Sequence, residues 1–222
     1  MSETILKGYI IAIKDYQLFD NVITFFGEDN RVYNLLSLGS RKILSKNGRN
    51  MKVGALIDFE FFKARLDTNL SRLKKLTIIN DIPWETANID IIESLNEFLK
   101  KGNNNFKFNI YQKLMKMISE NRDMSFISLF CLFEIIKSIG LRFELNGCAI
   151  CNYNKIKTTS IRFQGFLCEQ CSRENSEYIY DTDVNKIFYF LSKKYYKKIF
   201  KIKKSNKLIA IAFLKTFINI YH

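Results

Sequence analysis

Histidine is all but missing: the only one among 222 residues is His222, the last. Without an internal imidazole there is no histidine general base, no Ser-His-Asp triad and no H-E-x-x-H metal site within a fold. Phosphate cradles are missing too, since neither G-x-x-x-x-G-K-S/T nor G-x-G-x-x-G occurs. One proline and nine glycines, against twenty Phe and eleven Tyr, exclude a low-complexity chain and point to regular elements. The longest apolar run, Phe126 to Ile139, is interrupted by Glu134 and Lys137 and is too short to span a bilayer. The first residues, with Glu3 and Lys7, lack the basic start, apolar stretch and small-residue cleavage site of a secretion signal. A cytoplasmic location is expected, where five cysteines do not make a disulfide framework. With the usual catalytic signatures lacking, the chain is expected not to be an enzyme.

What the sequence has in excess is positive charge. Lys and Arg total 35 against 22 Asp and Glu, a formal charge of +13. Polyanions are the partners such a surface suits. The excess is uneven: residues 184–222 hold ten Lys and no acid, whereas residues 84–183 hold twelve bases against thirteen acids. Two places concentrate it. One is the Gly- and Ser-containing stretch Gly39 to Lys52, with Arg41, Lys42, Lys46, Arg49 and Lys52; the other is Lys193 to Lys207.

Short strands are predicted over Leu6 to Lys14, Asn21 to Phe26, Arg31 to Leu38, Ala55 to Phe62 and Leu73 to Ile79, with Gly27 to Asn30 as a hairpin loop. In the fourth, Ile57, Phe59 and Phe61 alternate with Asp58 and Glu60, the period of a half-buried strand. Five strands in about eighty residues suggest a small closed barrel, of which the OB-fold is one kind. Pro83 and Trp84 mark a boundary, after which the apolar period lengthens to that of helices. Helices are predicted over Thr86 to Lys101, closed by Gly102, Phe106 to Glu120, Ser125 to Ile139, opened by Asp123 and closed by Gly140, Val184 to Tyr195 and Lys207 to Tyr221. The third is apolar almost all round and should be the buried centre of a bundle, with Cys131 as a small core residue. The expected class is α+β and multi-domain: an OB-fold barrel over 1–82, a helical domain over 83–146 and 175–222, and a zinc ribbon-like insertion over 147–174.

Cys148 and Cys151 form one C-x2-C pair and Cys168 and Cys171 another, with sixteen residues between the pairs. Each pair is a knuckle offering two thiolates, and two knuckles supply a tetrahedral four-sulfur set for one structural Zn²⁺. Four protein sulfurs leave no open position for water, so a catalytic metal is not expected. Asp58 and Glu60 share a strand face and are read as its solvated side rather than as the metal ligands of a nuclease. Asp181 and Asp183 are read as helix-capping residues. The Gly39 to Lys52 loop lies in sequence beside strands bearing Tyr33, Phe59 and Phe61, and a basic groove with stacking rings is how OB-folds hold single strands. In the Lys193 to Lys207 run the lysines are interleaved with Tyr195, Tyr196, Ile199, Phe200 and Ile202, a pattern open to a nucleic acid or to a partner peptide.

Taken in order, these pieces resemble the bacterial RecO family of recombination mediators and DNA repair proteins. The resemblance rests on Lys7, Gly8 and Tyr16, on the loop Gly39, Arg41, Lys42 and Ser45, and on Leu70, Ser71, Arg72, Leu73 and Lys74. It continues through Gly140, Leu141, Arg142, Glu144, Leu145, Cys148 and Cys151 to Gly165, Cys168 and Cys171. It implies binding of single- and double-stranded DNA, annealing of complementary strands, and help in loading recombinase onto coated single strands in a RecF-type pathway. Implied partners are RecR and the C-terminal tail of single-strand-binding protein, with recombinase engaged indirectly, no membrane, and a nucleoid-associated location. On this reading Arg41, Lys42, Lys46, Arg49, Lys52, Arg72 and Lys74 contact DNA, and Lys197, Lys198 and Lys201 receive the partner tail. The short helical domain and few arginines depart from longer members and leave the tail-binding groove unplaced. The alternative is a zinc-ribbon interaction or transcription-associated module that binds protein or RNA.

Overall fold

The computed structural model describes residues 3–66, 69–81, 89–102, 105–120 and 122–221. Pro83, Trp84, Thr86, the expected domain end at residue 82 and His222 lie outside the described residues. The chain divides into two compact units, Met1–Asn121 and Arg122–His222.

The first unit begins with a closed barrel. Its strands are β1 (Glu3–Tyr16), β2 (Asp20–Gly27), β3 (Val32–Ser37), β4 (Leu56–Phe62) and β5 (Ser71–Asn80), with a short helix α1 (Lys46–Arg49) between β3 and β4. Around the barrel the order is β1-β2-β3-β5-β4, closed by antiparallel pairing of β1 with β4; β3 and β5 run parallel. This is the OB-fold arrangement. Closure depends on β1 serving two neighbours: it pairs with β4 from Glu3 to Tyr9 and with β2 from Gly8 to Tyr16. The strand changes partner at Gly8, where a Cβ would stand 2.5 Å from the Phe25 ring, and a bulge follows between Ile10 and Ala12. A missing side chain and a bulge are the means by which a strand turns a barrel corner.

The expected alternation in β4 fills the barrel. Ile57, Phe59 and Phe61 are buried with Ile10, Ile23, Phe25 and Leu35, and Phe25 stacks on Phe59 at 4.0 Å. Such aromatic pairs add about 1 kcal/mol beyond their area. Two helices expected in a separate helical domain cluster instead with the barrel: α2 (Ile89–Lys100) and α3 (Phe108–Ser119). Tyr9 and Phe26 pack on Phe108 and Tyr111 at ring distances of 4.8–5.9 Å. Lys107 provides no side-chain cap for α3, and Asn30 of the β2–β3 turn accepts from the Phe108 N–H at 2.8 Å in its place. That gives the hairpin a capping role no local pattern announces.

The second unit is built around α4 (Met124–Ser138), buried at Phe126, Leu129, Phe130, Cys131, Phe133 and Ile136, as its all-round apolar pattern requires. Gly140, at φ +78°, ends the helical region as expected. A three-stranded sheet follows, β6 (Glu144–Cys148), β7 (Thr158–Ser160) and β8 (Gly165–Leu167), in the order β6-β8-β7. Then come α5 (Glu169–Glu174), α6 (Thr182–Ser192), α7 (Tyr196–Ile199) and α8 (Lys204–Tyr221). Of these, α5 and α7 are absent from the sequence-based expectation, being too short to show a period. Asp123 and Asp181 cap α4 and α6 through their carboxylates. Among the described residues no helix is long and apolar enough to cross a membrane.

Lys207 corrects one expectation. Although counted with the solvent-facing C-terminal lysines, its side chain is 4% exposed, and its Nζ lies 2.5 Å from the Asp123 carboxylate. The pair ties the start of α8 to the N-cap of α4. Burial tends to raise the Asp123 pKa, but the hydrogen bond and charge of Lys207, with the Phe126 and Ser125 N–H groups, hold it below the usual 3.8. The carboxylate's contribution is complete above that usual value and is lost as pH falls through the lowered one. Lys207→Ala should destabilise the second unit by about 3 kcal/mol and shrink the loss of stability on the acid side. Urea titrations followed by circular dichroism check both; an unchanged midpoint would mean the lysine is solvated.

Candidate metal centre and basic barrel edge

Two backbone knuckles place the four cysteines. Cys148 ends β6, and the chain turns so tightly after it that the Asn152 N–H donates to the Cys148 carbonyl at 2.8 Å, with Asn152 at φ +61°. Gly147 permits the turn, since a Cβ there would lie 3.1 Å from the Asn152 carbonyl oxygen. Cys168 is the N-cap of α5: its Sγ accepts from the Cys171 N–H at 3.5 Å. The β7–β8 hairpin brings the second knuckle back to the first. The sulfurs of Cys148, Cys151, Cys168 and Cys171 all lie within 4.8 Å of one another, with Cys151 and Cys168 at 3.7 Å.

That spacing fits one ion. Metal–sulfur bonds of about 2.3 Å in a tetrahedron put neighbouring sulfurs about 3.8 Å apart, whereas a disulfide needs about 2.05 Å. Burial tends to raise the Cys148 thiol, but the N–H groups of Cys151, Cys168 and Ile150 and the Cys151 thiol outweigh it and bring the pKa down to about 6. Cys171 is pushed the other way, first by burial and then by hydrogen bonds among the neighbouring thiols. The lowered thiol is the one most readily deprotonated, and bound metal would displace the protons of the set. Cys131 stands apart, alone in α4, its thiol raised to about 12 by burial.

The metal module is fastened by polar side chains. Thr158, Thr159 and Ser160 of β7 are all buried. Thr159 donates to the Asn185 side chain of α6, and Asn185 donates to the Lys157 carbonyl at 3.0 Å. Thr158 donates to the Tyr178 carbonyl at 2.7 Å and accepts from the Tyr180 N–H at 3.1 Å. No spacing rule marks these residues in the sequence.

In the first unit the structure brings the two sets of sequence-predicted basic residues together. Asn47 of α1 donates to the Lys74 carbonyl at 3.2 Å and accepts from the Leu76 N–H at 3.1 Å; Asn50 donates to the Leu76 carbonyl at 3.1 Å. The loop bearing Arg41, Lys42, Lys46 and Arg49 therefore lies against the strand bearing Arg72 and Lys74, and all six are exposed. Their charges are not equally free. Arg41 meets Asp15 at 3.1 Å, Lys52 pairs with Asp81, and Lys74 pairs with Glu3 at 2.6 Å and Glu60 at 3.5 Å. Lys42, Lys46, Arg49 and Arg72 have no ion pair among the described residues. Glu60 is also held by Lys75 at 3.5 Å, so it serves this surface as counter-ion. Lys75 is exposed beside Lys74 because a bulge in the β4–β5 ladder turns both outward; the Lys-Lys doublet was its only signal.

Two of the three rings expected beside the basic loop are not available to a base. Phe59 and Phe61 are wholly buried, and Tyr33 stacks on Phe25 at 5.0 Å and donates its hydroxyl to Asp29. Phe59 and Phe61 belong to the barrel core and offer no face to a base; Tyr33 is half-buried at its margin, with one face on Phe25.

In the second unit Lys197, Lys198 and Lys201 are exposed. The Lys198 ammonium lies over the rings of Tyr195 at 5.0 Å and Phe190 at 5.4 Å. Nearby in sequence, Lys194 joins Ile136, Leu141, Leu145, Phe163 and Leu191 in lining a cavity of about 660 Å³.

An OB-type barrel with a basic edge, followed by a helical unit carrying a four-cysteine cluster, defines the class of protein. No family model matches the chain. It is similar to curated proteins named DNA repair protein RecO: 27% identical over 193 residues to that of Mesoplasma florum, covering 80% of this chain and 70% of the relative. The protein of that name from Mycoplasma mycoides subsp. mycoides is 28% identical over 183 residues, 76% of this chain and 71% of its own. That from Clostridium perfringens is 24% identical over 220 residues, 94% and 88% of the two chains. The RecO resemblance read from the motifs thus extends along most of the sequence.

Thiol counting tests the metal centre. In metal-loaded protein the five cysteines should react slowly with a thiol reagent, and a chelator should release the four clustered ones while Cys131 stays silent until denaturation. Fast reaction of all four clustered thiols in untreated, metal-replete protein would contradict the assignment.

Proposed function

We propose that this chain is a DNA repair protein of the RecO kind, acting by binding rather than catalysis. It would hold single- and double-stranded DNA, anneal complementary strands and help load recombinase onto coated single strands. The observation that carries the reading is the set of uncompensated cations on the edge of an OB-type barrel, in a chain similar to RecO proteins along most of its length. Lys42, Lys46, Arg49 and Arg72 are the residues best placed to meet phosphates, with Arg41, Lys52 and Lys74 exchanging carboxylate partners for phosphate. Annealing follows from the same electrostatics. Neutralising phosphates releases condensed counterions, and a surface that does so for two strands lowers the repulsion between them.

The metal is assigned as one structural Zn²⁺ on Cys148, Cys151, Cys168 and Cys171. An all-sulfur tetrahedral set suits zinc, closes its coordination shell and contributes to folding rather than to reaction. RecR, the acidic tail of single-strand-binding protein and, through them, recombinase are the proposed partners, with the nucleoid as the place of action. For the tail, Lys197, Lys198 and Lys201 offer charge, and the cavity beside Lys194 offers the apolar contact that a bare phosphate chain would not need.

Separating the two basic surfaces is the test. Replacing Lys42, Lys46 and Arg49 by Ala should weaken binding to naked DNA and reduce the slope of log affinity against log salt by roughly one for each phosphate no longer neutralised. Replacing Lys197, Lys198 and Lys201 should spare naked DNA and weaken binding to a tail peptide and to coated DNA. Fluorescence anisotropy with each probe reads the split. Wild-type affinity for DNA that is flat with salt would overturn the DNA assignment; equal losses by both variants on both probes would overturn the division.

A further inference from the structure

The basic edge carries a feature that phosphate binding leaves unexplained. At the tip of the β3–α1 loop, Ile43 is 92% and Leu44 81% exposed, two adjacent aliphatic side chains held in solvent. The backbone around them is tied on both sides. The Gly39 N–H donates to Asp20 at 2.7 Å, the Arg41 N–H to the Phe19 carbonyl at 2.9 Å, and the Ser45 N–H to the Lys42 carbonyl at 2.9 Å. Beyond the tip, Ser45 caps α1 by accepting from the Gly48 N–H at 3.1 Å, and Asn47 and Asn50 pin the helix to β5. Gly48 approaches so closely that a Cβ would lie 2.0 Å from the Ser40 carbonyl oxygen. The tip is therefore presented, not left over from a slack loop.

What surrounds it indicates the occupant. Residues 39–52 contain five cations and no acid, and Lys42 and Lys46 flank the tip without an ion pair among the described residues. A protein partner for so apolar a tip would not require the cations; a nucleic acid requires both, phosphates for the cations and base faces for the aliphatic groups. Apolar side chains projecting from a basic surface are what architectural proteins insert between bases. A second exposed apolar tip, Leu18 and Phe19 of the β1–β2 turn, is tied to the first through Arg41, whose guanidinium reaches the Gln17 carbonyl at 3.5 Å.

We infer that Ile43 and Leu44 form a wedge that enters between neighbouring bases of bound DNA and unstacks them, while Lys42, Lys46 and Arg49 hold the flanking phosphates. The inference rests on the DNA-binding reading above and adds an activity to it: bases separated in this way are exposed for pairing with a second strand. Because an aliphatic group parts bases without quenching them, unstacking is visible as a rise in 2-aminopurine fluorescence.

The experiment uses the full chain and an oligonucleotide with one 2-aminopurine between thymines, as a single strand and as a duplex, with anisotropy measured in parallel. Wild-type protein at saturation should raise the fluorescence at least twofold. Ile43→Ser with Leu44→Ser, at positions already in solvent, should keep affinity within about twofold and the same salt slope, yet lose the rise. Ile43→Val with Leu44→Met should retain it. Lys42→Ala with Lys46→Ala should weaken affinity but give the rise once saturated. Binding without any rise, or a rise that the serine variant keeps, overturns the wedge and leaves DNA binding standing. No binding by wild-type protein overturns both.

Discussion

Strand β5 is short of a neighbour, and two asparagines replace it. On one side β5 pairs with β4 along its length; on the other it meets β3 only at Ser71 and Arg72. Beyond that point the Lys74 and Leu76 carbonyls and the Leu76 N–H would be left open, at about 1–3 kcal/mol for each group buried without a partner. The side chains of Asn47 and Asn50 satisfy all three, as a sixth strand would have done. The consequence is positional. A loop that seals the barrel must lie against it, so its cations gather beside those of β5 and its apolar tip is held outward.

The second unit solves a related problem by another route. Strands β7 and β8 are three residues each, too short to stand alone. A metal held by the four converging sulfurs would supply the missing cross-link at one end, and Asn185, Thr158 and Thr159 supply hydrogen bonds at the other. Without a metal the four cysteines would stand close together with no counter-ion among them. Metal bound there would tie the module's folding to its metal content.

Much of this was legible where physics is local. The five strands, the caps at Asp123 and Asp181, the closing glycines 102 and 140 and the two knuckles are short-range patterns, and each appears within a few residues of its expected place. Errors arose where a residue's role depends on a distant partner. Lys207 looks like its neighbours in a lysine run, yet Asp123, far away in sequence, makes it a core residue. Phe59 and Phe61 have the rings a base would stack on, but both are packed inside the barrel with Phe25, stacked on Phe59 and edge-on to Phe61. Helices α2 and α3 carry an ordinary amphipathic period, and contacts distant in sequence place them with the barrel: Tyr9, Phe26 and Asn30 hold α3, and Tyr111 of α3 bonds Asn96 of α2.

The sequence by itself determined the chemistry available: the ligand set of Cys148, Cys151, Cys168 and Cys171, the excess of cations, the lack of an internal imidazole, and the apolar periods that fill two cores. Tertiary structure alone decided which cations remain free. Charge is a property of a residue, but its availability depends on whether a carboxylate has been brought within reach, as Asp15, Asp81 and Glu3 are for Arg41, Lys52 and Lys74 and none is for Lys42, Lys46 or Arg49 among the described residues. Exposure of Ile43 and Leu44 is of the same kind. Nothing in two aliphatic residues says which way they face until hydrogen bonds made by others hold the loop in place.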